Sequence, residues 1–240
     1  RDIDYIPISA KLGDNVVDRS EHMPWYGGTP LLEHLETVQV ADARNLDDVR
    51  FPVQWVIRDH ATDYRGYAGQ LAGGVLRTGD EVLVLPSRLR TRIAKIDTFD
   101  GDLPEAVAGM SVTLLLEDEL DVSRGDIICR PDGAPQLSRE FEATVCWMAD
   151  APLRAGARYA IKHATHGARA IVDEVVDHVD VHTLTPDEDA SELGLNDIGR
   201  VRLRTSKPMA FDPYARNRAT GSFILIDEST NDTVGAGMIL

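Results

Sequence analysis

Short β-branched and aromatic runs, each cut off by a Gly, Asp or Asn turn, recur from Arg50 to Leu240, and that rhythm leaves few architectures open. The last of them is the clearest. Phe223 to Ile226 is too short for a helix, Asp227 to Asp232 is a cluster of turn formers, and Thr233 to Leu240 resumes an apolar strand. Gly235 and Gly237 in that strand are expected to let another backbone come close. The spacing predicts a first set of strands at Arg50–Ile57, Tyr64–Leu71, Val75–Leu76, Glu81–Pro86, Arg92–Ile96, Ser111–Leu116 and Ser123–Ile128. A second set is predicted at Phe141–Trp147, Arg158–His163, Ala168–Val172, Val175–Val181 and Asn196–Leu203, with the closing hairpin at the end and an acidic loop from Thr185 to Glu192. Many short strands with tight turns indicate closed all-β barrels.

Residues before Arg50 read differently. Ile3–Ile8 alternates as a strand would, and Ser9–Asn15 follows as a turn. Thr29 is a suitable N-cap with Pro30 in the first turn, and Leu31, Leu32, Leu35 and Val38 then fall on one helical face. Trp25 and Tyr26 are expected to pack on that helix, and Ala41–Val49 reads as a linker. One strand and one helix cannot bury an α/β core, so this stretch is expected to be the end of a domain lying mostly upstream.

Composition sets outer bounds. Hydrophobic residues make up 43% of the 240, enough for ordinary globular cores. No apolar run approaches membrane-spanning length, and two cysteines, Cys129 and Cys146, suggest no disulfide framework; a cytoplasmic location is the expectation. A net charge of −15 opposes non-specific binding to a phosphate backbone, although a local basic patch could still exist; no nucleic acid and no membrane are expected as partners. The acidic groups Glu117–Glu119 and Asp187–Asp189 read as solvated loops.

Candidate chemistry is sparse. His163 and His166 have metal-compatible spacing but no neighbouring Cys or carboxylate, and read as hairpin-tip histidines. Both cysteines read as buried small apolar groups. Asp212, Asn217 and Arg218 read as turn residues beside the final hairpin, and Arg65 and Arg92 as solvated strand-edge charges. Nothing arranges a catalytic triad, and neither a catalytic residue nor a metal site is assigned. The chain contains no G-x-x-x-x-G-K-[ST] phosphate loop and no Asn-Lys-x-Asp.

Particular wordings add a resemblance. Strand followed by Ser9-Ala10-Lys11 is similar to the last guanine-nucleotide motif of GTPases. Arg65-Gly66-Tyr67-Ala68-Gly69, Thr78-Gly79-Asp80 and Ser123-Arg124-Gly125-Asp126 follow the order of signals in the second domain of elongation-factor-type GTPases. Met23-Pro24-Trp25-Tyr26, Leu195-Asn196-Asp197-Ile198-Gly199 and the final Thr220–Met238 block resemble the GTPase subunit of sulfate adenylyltransferase, a member of that family. The resemblance implies a mainly β fold, with two elongation-factor-like barrels at 49–135 and 136–240 behind a GTPase-domain remnant at 1–48. It implies that Ser9, Ala10 and Lys11 are what remains of the guanine site. It implies GTP and magnesium in the intact protein, no cofactor for this chain alone, and a catalytic adenylyltransferase subunit as partner. An adenylylsulfate kinase fused beyond Leu240 occurs in some members. The rival implication is a translation factor whose barrels hold aminoacyl-tRNA.

Overall fold

The computed structural model describes residues 3–38, 45–59, 61, 64–180, 183 and 185–240. The chain divides into two units, Arg1–Arg44 and Asn45–Leu240.

The first half of the larger unit contains β1 (Phe51–Asp59), β2 (Tyr64–Gln70), β3 (Val75–Arg77), β4 (Glu81–Leu85), β5 (Leu89–Thr98), β6 (Gly101–Leu103), β7 (Glu105–Val107), β8 (Ser111–Leu116) and β9 (Ile127–Cys129). Their order is β4-β9-β1-β2-β8-β5-β6, and β4 also pairs with β5. Six antiparallel strands therefore close on themselves, with β6 added outside the ring, and closure removes the free edges that an open sheet would expose. Alternation fills the interior: Phe51, Val53, Tyr67, Val82, Val84, Ile93, Ile96 and Leu114 all point inward and are buried. The closing strand is shorter than its sequence suggests. Ser123–Asp126 is a turn, with the Ser123 N–H donating to the Asp126 carboxylate at 2.8 Å and Gly125 at φ 98°, and pairing begins only at Ile127.

The second half contains β10 (Gln136–Trp147), β11 (Leu153–Arg154), β12 (Arg158–His163), β13 (His166–Val179), β14 (Pro186–Asp187), β15 (Glu192–Leu193), β16 (Ile198–Phe211), β17 (Ser222–Ile226) and β18 (Thr233–Ile239). The order β12-β17-β18-β10-β16-β13-β14, with β12 also pairing β13, again closes six strands. Two segments predicted as separate strands, 168–172 and 175–181, are one continuous strand as far as Val179, bent by bulges between Val172 and Glu174 and between Val175 and Asp177; Val181 lies outside the described residues. The acidic stretch is not wholly loop, because Pro186–Asp187 pairs with β13 and Glu192–Leu193 with β11. Strand β16 shows the alternation best. Val201 and Leu203 enter the core, while Arg200, Arg202 and Arg204 face outward to Asp177, to Glu142 and Glu174, and to Asp173 respectively.

The second core is aromatic. The Phe141 ring lies 5.2 Å from Phe211 and 5.6 Å from Phe223, and Trp147 stacks edge-on to Tyr159 at 5.3 Å while its Nε1–H donates to the Ala151 carbonyl. The glycines of β18 serve these rings and not a neighbouring backbone. Gly237 pairs with Phe223, whose ring would lie 2.2 Å from a Cβ at that position, and Gly235 pairs with Trp147.

The smaller unit departs most from expectation. Residues 3–8 form no strand, because among the described residues of the unit none pairs with them; only an isolated bridge joins Ser9 to Asp14. The helix α1 (Leu31–Thr37) is present, but Pro30 and not Thr29 occupies the N-cap position, with no side-chain cap. None of its residues is buried, and Leu32, Leu35 and Val38 are exposed. Trp25 is exposed and touches Tyr26 edge-on at 6.3 Å; Tyr26 donates its hydroxyl hydrogen to the Thr29 carbonyl. Of the predicted linker, residues 41–44 lie outside the described residues.

Gly237→Ala is expected to destabilise the larger unit by about 1–3 kcal/mol, because the new Cβ would lie 2.2 Å from the Phe223 ring, which is packed against Phe141. Denaturant unfolding followed by tryptophan fluorescence measures it.

Candidate functional site

In the smaller unit the Ser9–Asn15 turn is held by its own backbone. The Ser9 carbonyl accepts from the Leu12 and Gly13 N–H groups, at 3.2 and 2.8 Å, and Gly13 at φ 79° ends the turn. Asn15, also left-handed at φ 55°, is buried; its Nδ2 donates to the Pro7 carbonyl at 2.8 Å and its Oδ1 accepts from Ser20 N–H at 2.9 Å. Asp14 accepts from the Ser20 hydroxyl at 2.6 Å and meets His22 Nδ1 at 3.0 Å. The hydroxyl hydrogen bond, with help from His22, holds the Asp14 carboxyl below its usual range. Among the described residues the Ala10 and Lys11 backbone N–H groups have no acceptor, and both residues are exposed. The turn thus presents two adjacent free main-chain donors beside a side chain no larger than a methyl group.

A second concentration of polar groups joins the two barrels. Arg50, just before β1, is 1% exposed and Asp212, just after β16, is 2% exposed. They form a two-pronged pair: Nε to Oδ2 and Nη2 to Oδ1, both 2.7 Å. The remaining valences are filled, Arg50 Nη1 by the Val49 carbonyl and Asp212 Oδ2 by the Thr220 hydroxyl. Nearby, Arg216 grips the Asp48 carboxylate with Nε and Nη2 at 2.7 and 2.6 Å, and Asn217 Nδ2 donates to the Ala72 carbonyl at 3.1 Å. Gly73 is required where these strands of chain meet, since a Cβ there would lie 2.6 Å from the Asp48 carbonyl oxygen. Beside the polar contacts a small apolar cluster of Leu85, Ile127 and Cys129 packs against Leu137 and Ala210 of the second barrel. Asp212 and Asn217 therefore do more than shape a turn; their partners lie about 150 residues away in sequence, where no local pattern could announce them.

The histidines are likewise more than hairpin tips. They flank a two-residue turn, Ala164–Thr165, and pair with each other in register. His163 is buried with Nε2 2.8 Å from the Thr220 carbonyl, so that nitrogen carries the hydrogen. Burial pushes both imidazoles below the usual histidine value. Cys129 is buried and its thiol is pushed up to about 11 by burial, whereas Cys146 is half-buried. Arg65 is half-buried: its Nε is shielded and has no hydrogen-bond partner among the described residues, and its guanidinium lies 5.7 Å from the Tyr67 ring. Arg92, exposed as expected, donates to the Gly79 carbonyl. Among the described residues, no group of three or more His, Cys, Asp or Glu is placed to hold a metal ion, and no helix is long and apolar enough to cross a membrane.

Residues 140–240 match the family model described as GTP-eEF1A C-terminal domain-like. Over its whole length the chain is 52% identical to the bifunctional enzyme CysN/CysC of Mycobacterium tuberculosis, covering 40% of that protein. It is 47% identical to sulfate adenylyltransferase subunit 1 of Alteromonas mediterranea and 46% identical to that of Bacteroides fragilis, covering 50% of each. The chain thus spans about half or less of the length of these relatives. A solved structure of Sup35 complexed with GMPPNP shares the fold at a TM-score of 0.75 and 21% identity, covering 98% of this chain and 57% of that one. The two closed barrels have an elongation-factor-like fold, shared with Sup35 along the chain and with the eEF1A-type family model over the second barrel. Over its whole length the chain matches part of proteins named sulfate adenylyltransferase subunit 1 and CysN/CysC, at 46–52% identity.

Two outcomes follow from the junction. Arg50→Ala leaves the Asp212 carboxylate buried and unpaired, and is expected to cost about 3–5 kcal/mol, whereas Arg50→Met with Asp212→Leu recovers most of that loss; urea unfolding of the three proteins reads the difference. The second outcome concerns pH. His163 binds its proton more weakly folded than unfolded, so its contribution to stability is present above the unfolded value of 6.5 and is lost as pH falls below it. Unfolding free energy is expected to decline from pH 7 towards pH 5, with a shallower slope in His163→Gln.

Proposed function

We propose that the intact protein carrying this chain is the GTPase subunit of a two-subunit sulfate adenylyltransferase, which forms adenosine 5′-phosphosulfate and pyrophosphate from ATP and sulfate. The observation that carries this reading is identity of 45–52% along the entire chain to proteins named for that enzyme. We place the adenylyl transfer on a separate catalytic subunit. The reaction is uphill, so hydrolysis of GTP has to be linked to it by a conformational change of the complex. In this reading the domains are a GTPase remnant at 1–48 and barrels at 49–135 and 136–240, and the barrels act as docking and coupling bodies in the cytoplasm. The tightly tied junction supports that role, because a rigid pair of barrels transmits a displacement instead of absorbing it. The aminoacyl-tRNA reading has less support: the eEF1A-type model matches the second barrel alone, whereas the relatives matched along the whole chain are named for sulfate adenylyltransferase.

Guanine is assigned to the Ser9–Lys11 turn. The free N–H groups of Ala10 and Lys11 fit the carbonyl oxygen of that base, and the small Ala10 side chain lets the base approach. GTP supplies the cleavable phosphoanhydride; its phosphates and magnesium fall to residues outside this chain, which has no phosphate loop. Accordingly this chain alone is expected to show no GTP binding by calorimetry.

In the intact protein, a GTP analogue lacking the base oxygen is expected to bind at least about tenfold more weakly than GTP, the loss for one hydrogen bond to a buried acceptor. Ala10→Pro, which removes one N–H donor, is expected to narrow that discrimination. Equal binding of the two nucleotides by the unaltered protein would remove the assignment. The larger proposal is checked by adding GTP to the two-subunit complex: adenosine 5′-phosphosulfate is expected to accumulate beyond the level reached without it.

A further inference from the structure

The second barrel carries a band of cations in which only Arg169 and Arg204 are paired with carboxylates, Glu228 and Asp173. On the outer face, Arg158 of β12, Ile171 of β13 and Arg204 of β16 lie in one row across the strands, and Arg169 follows two residues from Ile171. With Arg139 they surround a depression of about 460 Å³. It shares Arg169 and Ser206 with a second depression of about 540 Å³, which adds Lys162, Lys207 and, from the first barrel, Arg124. Lys162 in turn borders a third, of about 850 Å³, which adds Arg218. Eight basic side chains line the three, against a single carboxylate, Glu228, which is paired with Arg169.

This is unusual for the chain in which it occurs. Acidic residues outnumber basic ones by 40 to 25. Elsewhere on the surface Arg77, Arg90, Arg154, Arg200 and Arg202 each face a carboxylate. Arg139, Arg158, Lys162 and Lys207 are exposed and, among the described residues, their side chains have neither an ion-pair nor a hydrogen-bond partner. Inside the second depression Thr165 Oγ1 and His166 Nε2 are also buried without a partner.

The three connected hollows are too extended for a small anion, and the third has an apolar floor of Ile198, Phe223, Ile224 and Met238, the last 41% exposed. A sugar–phosphate backbone has nothing to place on such a floor, and the net charge of −15 repels a long polyanion. A short acidic stretch of polypeptide with interspersed apolar side chains satisfies both parts: carboxylates on the arginines, apolar groups on the floor.

We propose that this band on β10, β12, β13, β16, β17 and β18 is the docking surface for an acidic, partly apolar segment of a protein partner. The proposal rests on the functional reading above, which makes that partner the adenylyltransferase subunit. Because Arg139 and Arg158 have no partners to abandon, reversing their charge leaves the fold intact.

The experiment measures affinity of the intact protein for the separately purified adenylyltransferase subunit at low and physiological salt. Arg139→Glu with Arg158→Glu is expected to raise the Kd at least about tenfold and to flatten its salt dependence, mainly through a slower association rate. Arg139→Ala with Arg158→Ala is expected to fall between. Arg58→Glu, exposed near the end of β1 in the first barrel, serves as the control and is expected to bind as the unaltered protein does. An unchanged melting temperature and unchanged intrinsic GTP hydrolysis show that the variants are folded. If the unaltered protein binds the subunit and the double charge reversal binds it equally well, the surface assignment is overturned while the functional reading stands. Salt-sensitive binding of transfer RNA, lost in that variant with subunit binding preserved, overturns it as well. If the unaltered protein captures no adenylyltransferase subunit, both fall.

Discussion

The larger unit depends on one buried ion pair. Arg50 and Asp212 are almost entirely removed from water, and a charge there is tolerable only while its partner and the surrounding hydrogen bonds remain in place. They do remain: the guanidinium is held by two carboxylate oxygens and the Val49 carbonyl, and the carboxylate by the Thr220 hydroxyl. Thr220 also receives His163 on its carbonyl, so a group from the β12–β13 hairpin is drawn into the same network. The geometry admits little sliding between the barrels. A small rotation would separate two opposite charges in a medium that cannot solvate them.

That constraint explains the form of the loop between β16 and β17. Asp212, Arg216, Asn217 and Thr220 each use a side chain to hold either the first barrel or the loop itself. Gly221 closes the loop where a Cβ would strike the Tyr214 backbone at 2.4 Å. The loop is thus a clasp, closed by polar groups on one side and by the Leu85–Ile127–Cys129 cluster on the other. A pair of barrels joined in this way presents continuous outer surfaces to other proteins, and the basic band reaches from Arg124 of the first barrel onto the second. Along β16 each arginine meets an acid until the strand reaches Ser206, where carboxylates give out and cations accumulate.

The smaller unit shows what an isolated pattern is worth. Its turn at Ser9–Asn15 forms from local hydrogen bonds alone and needs no neighbour. The alternating Ile3–Ile8 does not pair, and the apolar side of α1 stays exposed, because strands and amphipathic helices draw their stability from what covers them.

Sequence by itself determined the two barrels. Period-two alternation and Gly, Asp and Asn turns act between near neighbours, so the strands around Val53, Leu114, Leu203 and Leu225 are legible one at a time. The wording of Ser9–Lys11 and of the final hairpin was legible for the same reason: each is a contiguous segment. Only the tertiary structure decided which polar residues act together. Arg50 and Asp212 are 162 positions apart and resemble any strand-end arginine and turn aspartate until folding superposes them. Gly237 reads as a backbone-packing glycine until Phe223 is seen lying over it. The basic band is gathered from Arg139, Arg158, Lys162 and Lys207 on three strands, and no one segment of an acidic chain reveals that they converge. Local propensities set the strands; closure of the barrels sets which side chains become neighbours.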